Sequence, residues 1–435
     1  MPVKSKKTID PNNVYIIDGS RTPFLKSAGV PGLFTASDLA VNAARPLLAR
    51  QSFAASDIDE VILGCIMPSP DEANIGRIAA LRLGCGEKVP GWTVQRNCGS
   101  GMQSIDCGVQ NIINGRSDLV LAGGTEAMSH APLIFNNDFA TWLGNLTYSR
   151  TTSAKLKQLL KFRPGMLCPV IALIKGLTDP VVGLNMGQTA EVIAHKFGIT
   201  REQMDEYAVR SHLRLAKAHE DGRMQEIETI YDTNGKFYDH DTGMRKDSSV
   251  EKLAKLRPAF DRDFGSVTAA NSSQITDGAA WVILASDKAV KKYKLPVIGR
   301  IVDSQWAGLL PQQMGLGPVH AMTPILKRQK LKMNDVDFWE INEAFAAQVL
   351  SCVAAWKDSA YCRNELSLRS AFGEINIDTL NVDGGAVAMG HPVGTSGARI
   401  VLHLCNVLQQ KDAKRGMASI CIGGGQGGAM LIERD

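Results

Sequence analysis

Strand-like and helix-like segments alternate along this chain of 435 residues, and this alternation limits the possible folds more than any other feature. Short β-branched and apolar runs occupy residues 14–17, 61–66 and 118–122. Segments with helical spacing lie between them, such as 37–50, which Ser37 is expected to cap. Alternating strands and helices are typical of folds in which helices cover a largely buried sheet. The sequence therefore predicts an α/β fold.

The second half of the chain faintly repeats the first. Residues 56–62 resemble residues 334–340, because each segment reads as a helix end, an acidic turn and a strand. A predicted helix near Gly101 leads to a strand and two glycines, and so does one near Gly397. A duplicated core explains both matches, although chance similarity between two α/β units remains the alternative. The predicted domains are a first half at 1–127 and 261–295, an insert at 128–260, and a second half at 296–435.

The insert contains a basic and apolar segment without any acidic residue between Asp138 and Asp179. One hypothesis is that residues 140–180 lie on an anionic membrane or against a partner protein. The alternative is a substrate-tunnel wall or a contact between copies, with solvated lysines. Further along, Thr200 and Gln203 form a predicted capping box in a helical stretch from 187 to 221. The basic residues of the segment are Arg150, Lys155, Lys157, Lys161, Arg163 and Lys175.

Bulk properties exclude several classes of protein. A net charge of +4 argues against nucleic acid as the main partner, although it suits an anionic substrate. The nine cysteines include no Cys-x-x-Cys pair, so no zinc ribbon and no metal site are expected. No apolar run is long enough to span a membrane, and the N-terminus lacks a secretory signal. Free thiols then predict a cytoplasmic location, at most peripheral to a membrane, with disorder confined to the first ten or so residues.

Two cysteines and one histidine stand in glycine-rich settings that suggest chemistry. Cys98 precedes a predicted helix, where the helix dipole is expected to lower the pKa of a thiol. His391 lies between Gly390 and Pro392, and an imidazole held in such a loop could take the thiol proton. Cys421 precedes a glycine-rich loop whose N–H groups could bind an oxyanion.

Each of these residues also has a structural interpretation. Most free cysteines are buried and inert, most lone histidines are structural, and a glycine-rich loop can instead cradle phosphate. Asn342 follows a predicted strand and could hold a water or an oxygen, but Asn is common at turns. The glycines around Cys98 and His391 favour the chemical interpretation for those two residues.

Six motifs, in this order along the chain, resemble those of the thiolases, which cleave and form carbon–carbon bonds in coenzyme A thioesters. The resemblance covers nearly all of the chain, and six ordered motifs are highly specific. It implies two similar βαβ halves in a layered sandwich with an inserted loop domain, which agrees with the duplication and the insert. The motifs are Arg21-Thr-Pro-Phe24, Asn97-Cys98-Gly-Ser-Gly101, Gly123-Gly-Thr-Glu-Ala-Met128, Asn342-Glu-Ala-Phe-Ala346, Gly390-His-Pro392 and Cys421-Ile-Gly-Gly-Gly425.

The resemblance also implies roles for individual residues. Cys98 would become acylated after activation by His391, and Cys421 would move a proton to and from the acetyl carbanion. One oxyanion hole would consist of His391 and an Asn342-bound water, and the other of the N–H groups of Cys98 and Gly423. Coenzyme A is the implied co-substrate, with no covalently bound cofactor and no metal. By the same resemblance, Ala269 and Ser273 would contact coenzyme A, and Met186 and Met314 would line the acetyl pocket.

Two residues depart from the patterns of particular thiolases. Asn185 stands where the short-chain acetoacetyl-CoA enzymes usually carry His, and the basic insert resembles the beta subunits of fatty-acid oxidation trifunctional complexes. Those subunits usually carry His where this chain has Asn342. The sequence favours thiolysis of medium- or long-chain 3-ketoacyl-CoA in beta-oxidation. The expected partners are acyl-CoA, CoA, further copies in a dimer or tetramer, and a hydratase–dehydrogenase alpha subunit.

Three rival functions stay open at this stage. One is condensation of two acetyl-CoA to acetoacetyl-CoA, since the same residues run the reaction in reverse. A decarboxylating ketoacyl synthase is disfavoured, because such enzymes normally have two histidines and no equivalent of Cys421. A non-catalytic relative that only binds lipid or coenzyme A is disfavoured by intact Cys98, His391 and Cys421.

Overall fold

The computed structural model describes residues 13–434, so the N-terminal residues predicted to be disordered lie outside the described residues. The strands are β1 (Val14–Arg21), β2 (Leu25–Lys26), β3 (Glu60–Gly64), β4 (Gly91–Val94), β5 (Leu119–Ala127), β6 (Leu133–Phe135), β7 (Pro169–Ile171), β8 (Ile230–Tyr231), β9 (Phe237–Tyr238), β10 (Thr276–Ser286), β11 (Gly299–Gly308), β12 (Phe338–Ile341), β13 (Arg415–Ile422) and β14 (Gln426–Glu433). The α-helices are α1 (Ala36–Ala49), α2 (Ile75–Arg82), α3 (Ser100–Ile113), α4 (Asn137–Tyr148), α5 (Thr152–Leu159), α6 (Ala172–Gly176), α7 (Met186–Phe197), α8 (Arg201–Glu220), α9 (Val250–Leu253), α10 (Asp287–Tyr293), α11 (Gly317–Arg328), α12 (Ala346–Lys357), α13 (Ser359–Leu366), α14 (Ala386–Met389) and α15 (Ser396–Gln410).

One sheet runs through both halves of the chain in the order β12-β13-β14-β11-β1-β10-β5-β3-β4, with β2 paired to β10. From β3 through β5 and β10 to β1, the pairings are parallel, antiparallel and antiparallel. The same series runs from β12 through β13 and β14 to β11. The two halves join where β1 pairs with β11 in antiparallel register. The predicted duplication is therefore present in the strand order itself.

Each of these two four-strand series is called a half-sheet here. Successive side chains along a strand point to opposite faces, so each half-sheet packs against helices on both faces. Ile16 packs with α3 and α15, whereas its neighbour Ile17 packs with α1. In the second half, Ile420 faces α3 and α15, whereas Met417 faces α11 and α12. Helices α3 and α15 therefore form a central layer between the two half-sheets. This layered arrangement places the start of both helices at the junction of the halves.

The local predictions hold for most elements and fail at one helix cap. Helix α1 begins at Ala36 and is capped by Thr35, not by Ser37, because the Thr35 side chain accepts the Asp38 N–H and Asp38 caps Thr35 in return. The stretch from 187 to 221 forms two helices, α7 and α8, because Gly198 adopts a left-handed conformation at the end of α7. The capping box of Thr200 and Gln203 at the start of α8 is confirmed.

The insert has two parts with different environments. Helices α7 and α8 pack onto the second half through side chains such as Ile193 and Met204. In contrast, residues 129–178 contain no buried residue, although they include β6, α4, α5, β7 and α6. Within residues 13–434, the helices are too short or too polar to cross a bilayer.

Candidate active site

Cys98 stands directly before α3, at the N-terminal end of the central helix layer. The chain reaches it through Asn97, whose φ of 42° turns the backbone and whose side-chain amide donates to the Gly423 carbonyl at 2.9 Å. Gly101, in the first turn of α3, allows a very close approach to the second half. A Cβ at this position would lie 2.8 Å from the Ala398 nitrogen and 2.9 Å from the Gly394 oxygen. The Cys98 loop therefore rests against the loop that carries His391.

His391 lies in the segment between α14 and α15. Gly390, with a φ of 105°, leads into it, and the His391 N–H donates to the Gln274 carbonyl at 3.0 Å. The Nδ1 atom of His391 is 2.6 Å from the Ser396 hydroxyl oxygen. The Nε2 atom has no hydrogen-bond partner among the described residues, although the side chain is buried. One ring nitrogen is therefore anchored, and the other is free for chemistry.

Cys421 is the penultimate residue of β13, just before the glycine turn into β14. It is buried, and it lines the same cavity as Cys98 and His391. Gly423 follows in the turn, and its backbone N–H lies within hydrogen-bonding reach of the Cys98 sulfur. The structure therefore brings together four of the five residues predicted for the chemistry, with Cys98 from the first half of the chain and the other three from the second half.

Asn342 is the fifth, and it is placed differently. It follows β12, is completely buried, and is not among the residues that line the cavity. Its side-chain oxygen accepts a hydrogen bond from Arg399 at 3.4 Å, and its side-chain nitrogen has no partner among the described residues. Asn342 is therefore not part of the cavity lining, and its side chain has an unpaired donor.

The cavity has a volume of about 530 Å³ and a mostly apolar lining. All four residues predicted to contact the substrate line it, namely Met186, Met314, Ala269 and Ser273. Leu177 also contributes to the wall, so the end of the basic segment reaches the cavity. The loop with Ala269 and Ser273 is fixed by neighbours, since the Ser273 N–H donates to the Ala344 carbonyl at 2.9 Å. The further apolar lining includes Met128, Leu253, Leu256, Phe260, Ile275, Phe345, Val387 and Val393.

Three basic side chains in the lining were missed by the sequence analysis. Lys26 and Arg245 are exposed, so they lie at the cavity mouth, and His212 is buried beside them. Burial and these two charges lower the pKa of His212 to about 4, and burial and Arg245 lower the pKa of Lys26. Such mutual repulsion between cations is relieved when an anion binds among them. Lys26, His212 and Arg245 come from distant segments of the chain, so no local sequence pattern could have grouped them.

Burial shifts the pKa values of Cys98, Cys421 and His391. Burial raises the pKa of Cys98, and it outweighs the N–H groups of Gly423 and Cys98 itself, which act to lower it. The prediction of a lowered pKa is therefore wrong, because the helix start is buried in the protein. Burial and the nearby sulfur of Cys98 raise the pKa of Cys421 well above its usual value. Burial and the charge of Arg399 lower the pKa of His391 to about 3.

At neutral pH these shifts leave a thiol, a neutral imidazole and a second thiol around one cavity. A neutral imidazole can accept a proton from a nucleophilic thiol, and a protonated thiol can donate one to carbon. Within residues 13–434, no group of three or more His, Cys, Asp or Glu side chains is arranged to hold a metal ion. The arrangement can therefore carry out covalent acyl transfer with its own side chains.

The family models for the thiolase N-terminal and C-terminal domains match residues 14–288 and 295–434. The chain belongs to the thiolase family. It is 38% identical to the human mitochondrial 3-ketoacyl-CoA thiolase, with 97% of this chain and 98% of the relative aligned. It is 35% identical to the mitochondrial trifunctional enzyme subunit beta of Bos taurus, with 99% of this chain and 90% of that protein aligned.

Solved thiolase structures agree with the fold. The human mitochondrial 3-ketoacyl-CoA thiolase in complex with CoA superposes with a TM-score of 0.83 at 36% identity, and 98% of each chain is covered. The acetyl-CoA acetyltransferase of Bacillus anthracis gives a TM-score of 0.83 at 36% identity, with 97% of this thiolase and 98% of that chain covered. The predicted duplicated α/β fold is confirmed.

The predicted cytoplasmic location is wrong in the light of these relatives, which are mitochondrial by name. The reasoning rested on free thiols and on the lack of a secretory signal. Free thiols indicate a reducing environment, but they do not distinguish the cytoplasm from another reducing compartment.

Proposed function

We propose that this thiolase cleaves 3-ketoacyl-CoA with coenzyme A, giving acetyl-CoA and an acyl-CoA shortened by two carbons, in fatty-acid beta-oxidation. The observation that carries the proposal is the meeting of Cys98, His391 and Cys421 on one cavity. Coenzyme A is the co-substrate. Support for the degradative direction comes from relatives named 3-ketoacyl-CoA thiolase and trifunctional enzyme subunit beta.

In the first half-reaction, the Cys98 sulfur attacks the 3-keto carbon while His391 accepts the thiol proton. The Cα–Cβ bond then breaks, its electron pair passes to the acetyl-CoA enolate, and the acyl group stays on Cys98. The thiol of Cys421 protonates the enolate carbon and becomes a thiolate. His391 and a water held by Asn342 stabilise the enolate oxygen, because preorganised donors act strongly in a buried site.

In the second half-reaction, coenzyme A enters and gives its thiol proton to the Cys421 thiolate. Its sulfur attacks the acyl-enzyme carbonyl, whose oxygen is held by the N–H groups of Cys98 and Gly423. The bond to Cys98 breaks, and the departing thiolate recovers its proton from His391. Ala269, Ser273 and the basic mouth of Lys26 and Arg245 support binding of the coenzyme, since its phosphates are anionic. Met186 and Met314 line the acetyl pocket.

The test is a series of thiolysis rates from acetoacetyl-CoA to C12 and C16 3-ketoacyl-CoA. We expect higher kcat/KM for the longer substrates, because the cavity lining is mostly apolar. Cys98→Ala should abolish thiolysis, and Cys421→Ala should still form acyl label at Cys98 but fail to exchange protons at the acetyl carbon. Acyl label at position 421 instead of Cys98 would overturn the assignment, and unchanged activity in Cys98→Ala would overturn the catalytic proposal itself.

The exposed part of the insert supports a second proposal, about assembly. Residues 129–178 present several large apolar side chains to solvent, with Phe135, Phe139, Trp142 and Phe162 in contact along one cluster. A contiguous apolar surface beside basic residues is typical of a docking site. We propose that it binds a hydratase–dehydrogenase alpha subunit or an anionic membrane. The trifunctional relatives support the subunit, and a dimer or tetramer of this chain remains a prediction. The exposed apolar residues include Leu133, Leu143, Leu156, Leu159, Leu160 and Ile174.

Replacing Leu156, Leu159 and Leu160 with Ser tests this surface. The thiolysis rate should be unchanged, while binding to the subunit or sedimentation with cardiolipin vesicles should fall. The arm that falls identifies the occupant. If the variant retains both interactions, or if wild type has neither, the surface is a tunnel wall or a self-contact, and sedimentation equilibrium then shows whether the oligomer dissociates.

A further inference from the structure

Two side chains on one face of α15 contact the two residues proposed to hold the enolate oxygen. The Ser396 oxygen is 2.6 Å from Nδ1 of His391, and Nη2 of Arg399 is 3.4 Å from the side-chain oxygen of Asn342. Residues three apart in a helix point in the same direction. One turn of α15 therefore contacts both His391, from its own loop, and Asn342, from the end of β12.

Each contact uses one polar atom and leaves another unpaired. Nε2 of His391 and Nδ2 of Asn342 are buried without a hydrogen-bond partner among the described residues. Buried polar atoms normally have partners, and exceptions are expected where the reaction supplies the partner. The guanidinium of Arg399 has donors only, so it must face the oxygen of the Asn342 amide. The amide nitrogen of Asn342 is then directed away from Arg399 as a donor.

Arg399 is itself held by an ion pair. Nη1 of Arg399 is 3.2 Å from a carboxylate oxygen of Glu340, and both side chains are almost fully buried. Glu340 lies in β12 two positions before Asn342, and the Arg399 guanidinium contacts both side chains. The carboxylate therefore fixes the guanidinium beside the amide that it contacts.

We infer that Arg399 is a positioning residue, which orients the Asn342 amide so that its nitrogen serves the oxyanion site. This inference rests on the proposed function, since it assigns a support to one of its donors. Arg399 has a second effect on the same site. Its charge acts with burial to keep His391 neutral, with a pKa of about 3. The neutral ring can then accept the Cys98 proton at Nε2 while Nδ1 stays with Ser396.

A double-mutant cycle between Arg399 and Asn342 tests the inference on the intact protein. Asn342→Ala should lower kcat for thiolysis by about 100-fold, the loss typical of one oxyanion donor. Arg399→Gln should lower kcat by about tenfold or more, with KM within about threefold, because it acts on the transition state. In the Asn342→Ala background, Arg399→Gln should cost less than about threefold more, because residues that act through one another are not additive. This residual loss is the effect of the Arg399 charge on His391, which does not depend on the Asn342 amide.

Two further variants keep the cycle interpretable. Arg415→Gln breaks another ion pair in the second half, with Glu433, and should leave kcat unchanged. If Arg399→Gln does not fold, the cycle uses Arg399→Lys, which keeps the charge beside Glu340 but loses the guanidinium fork. It should show a smaller kcat loss that again vanishes without the Asn342 amide.

Equal losses from the Arg399 variant in both backgrounds would overturn the inference, and so would full activity of Asn342→Ala. Full activity of Asn342→Ala would also remove the Asn342-held water from the proposed mechanism, but neither result touches the assignment of thiolysis as long as Cys98→Ala is inactive. Conversely, an active Cys98→Ala enzyme defeats the thiolase proposal whatever the cycle gives. The two failures are therefore distinguishable.

Discussion

The resting enzyme should hold Cys98 as a thiol and not as a preformed thiolate. Burial raises the pKa of Cys98 above 9.0, and burial and Arg399 lower the pKa of His391 to about 3. The shift of the His391 pKa from 6.5 to about 3 alone makes proton transfer to the imidazole roughly 5 kcal/mol less favourable than transfer to an ordinary histidine, and the raised pKa of Cys98 disfavours it further. The His391 shift alone makes the thiolate–imidazolium pair roughly 3000-fold rarer, before substrate binds, than it would be with an unshifted imidazole. Substrate binding must therefore supply the conditions for transfer.

The measurement is the rate of Cys98 alkylation by iodoacetamide between pH 6 and 9, with the labelled peptides mapped by mass spectrometry. Only the thiolate reacts, so the rate should rise about tenfold per pH unit without a plateau. His391→Asn should change this rate by less than about threefold, because there is no resting ion pair to lose. The exposed Cys168, mapped in the same digest, controls for reagent decay.

A plateau in the Cys98 rate below pH 7.5 would refute this reasoning. Such a plateau is the behaviour of a preformed thiolate–imidazolium pair, and it would mean that burial does not dominate the site. A large loss of Cys98 alkylation in His391→Asn would also show that the resting enzyme contains this ion pair.

Three further perturbations follow from the structure. Gly124→Ala would place a Cβ 2.1 Å from the Gly394 oxygen and displace the His391 loop, so kcat for thiolysis should fall about 100-fold, whereas Gly144→Ala, with nothing within 4 Å, should have no effect. The folded-state pKa of His391 is about 3 against an ordinary 6.5, so the stability that it contributes is present above pH 6.5 and lost as the pH falls toward 3. In urea unfolding, wild type should lose roughly 5 kcal/mol more stability between pH 6.5 and 3 than His391→Asn does, and an equal loss in both proteins would contradict this prediction. Burial raises the pKa of Glu126 from 4.5 to about 7, so its effect on the pH dependence of stability is opposite to that of His391. The free energy of unfolding should fall by roughly 3 kcal/mol as the pH rises from 4.5 to 7, and Glu126→Gln should reduce this fall.

The sequence predicts the elements that carry the chemistry because their signals are local. Gly101 must be glycine because the backbone of Gly394 and Ala398 leaves no room for a Cβ. Such close contacts between the Cys98 and His391 loops explain the glycines that the sequence shows beside both residues. The duplication was also visible, because an acidic turn before a strand recurs in both halves. The domain boundaries and the individual roles in catalysis remain predictions.

The features that the sequence could not predict depend on contacts between distant segments. Arg399 meets Asn342 across 57 positions, and Lys26 meets Arg245 only at the cavity mouth. The pKa of Cys98 was predicted with the wrong sign, because burial is a property of the whole fold. The cap of α1 was assigned to Ser37 and not Thr35, because both residues are good caps and only the backbone geometry distinguishes them.

The pairing of β1 with β11 has a consequence for how this enzyme moves. Val14 and Tyr15 of β1 lie opposite Ile301 and Arg300 of β11, and α3 and α15 share one packed core between the half-sheets. A hinge at this junction would break strand pairing and expose that core, unlike the small polar interfaces across which domains usually swing. Turnover must therefore occur in a rigid body, with substrates entering and products leaving through the mouth of the cavity. Any motion that limits the rate belongs to the loops around that mouth.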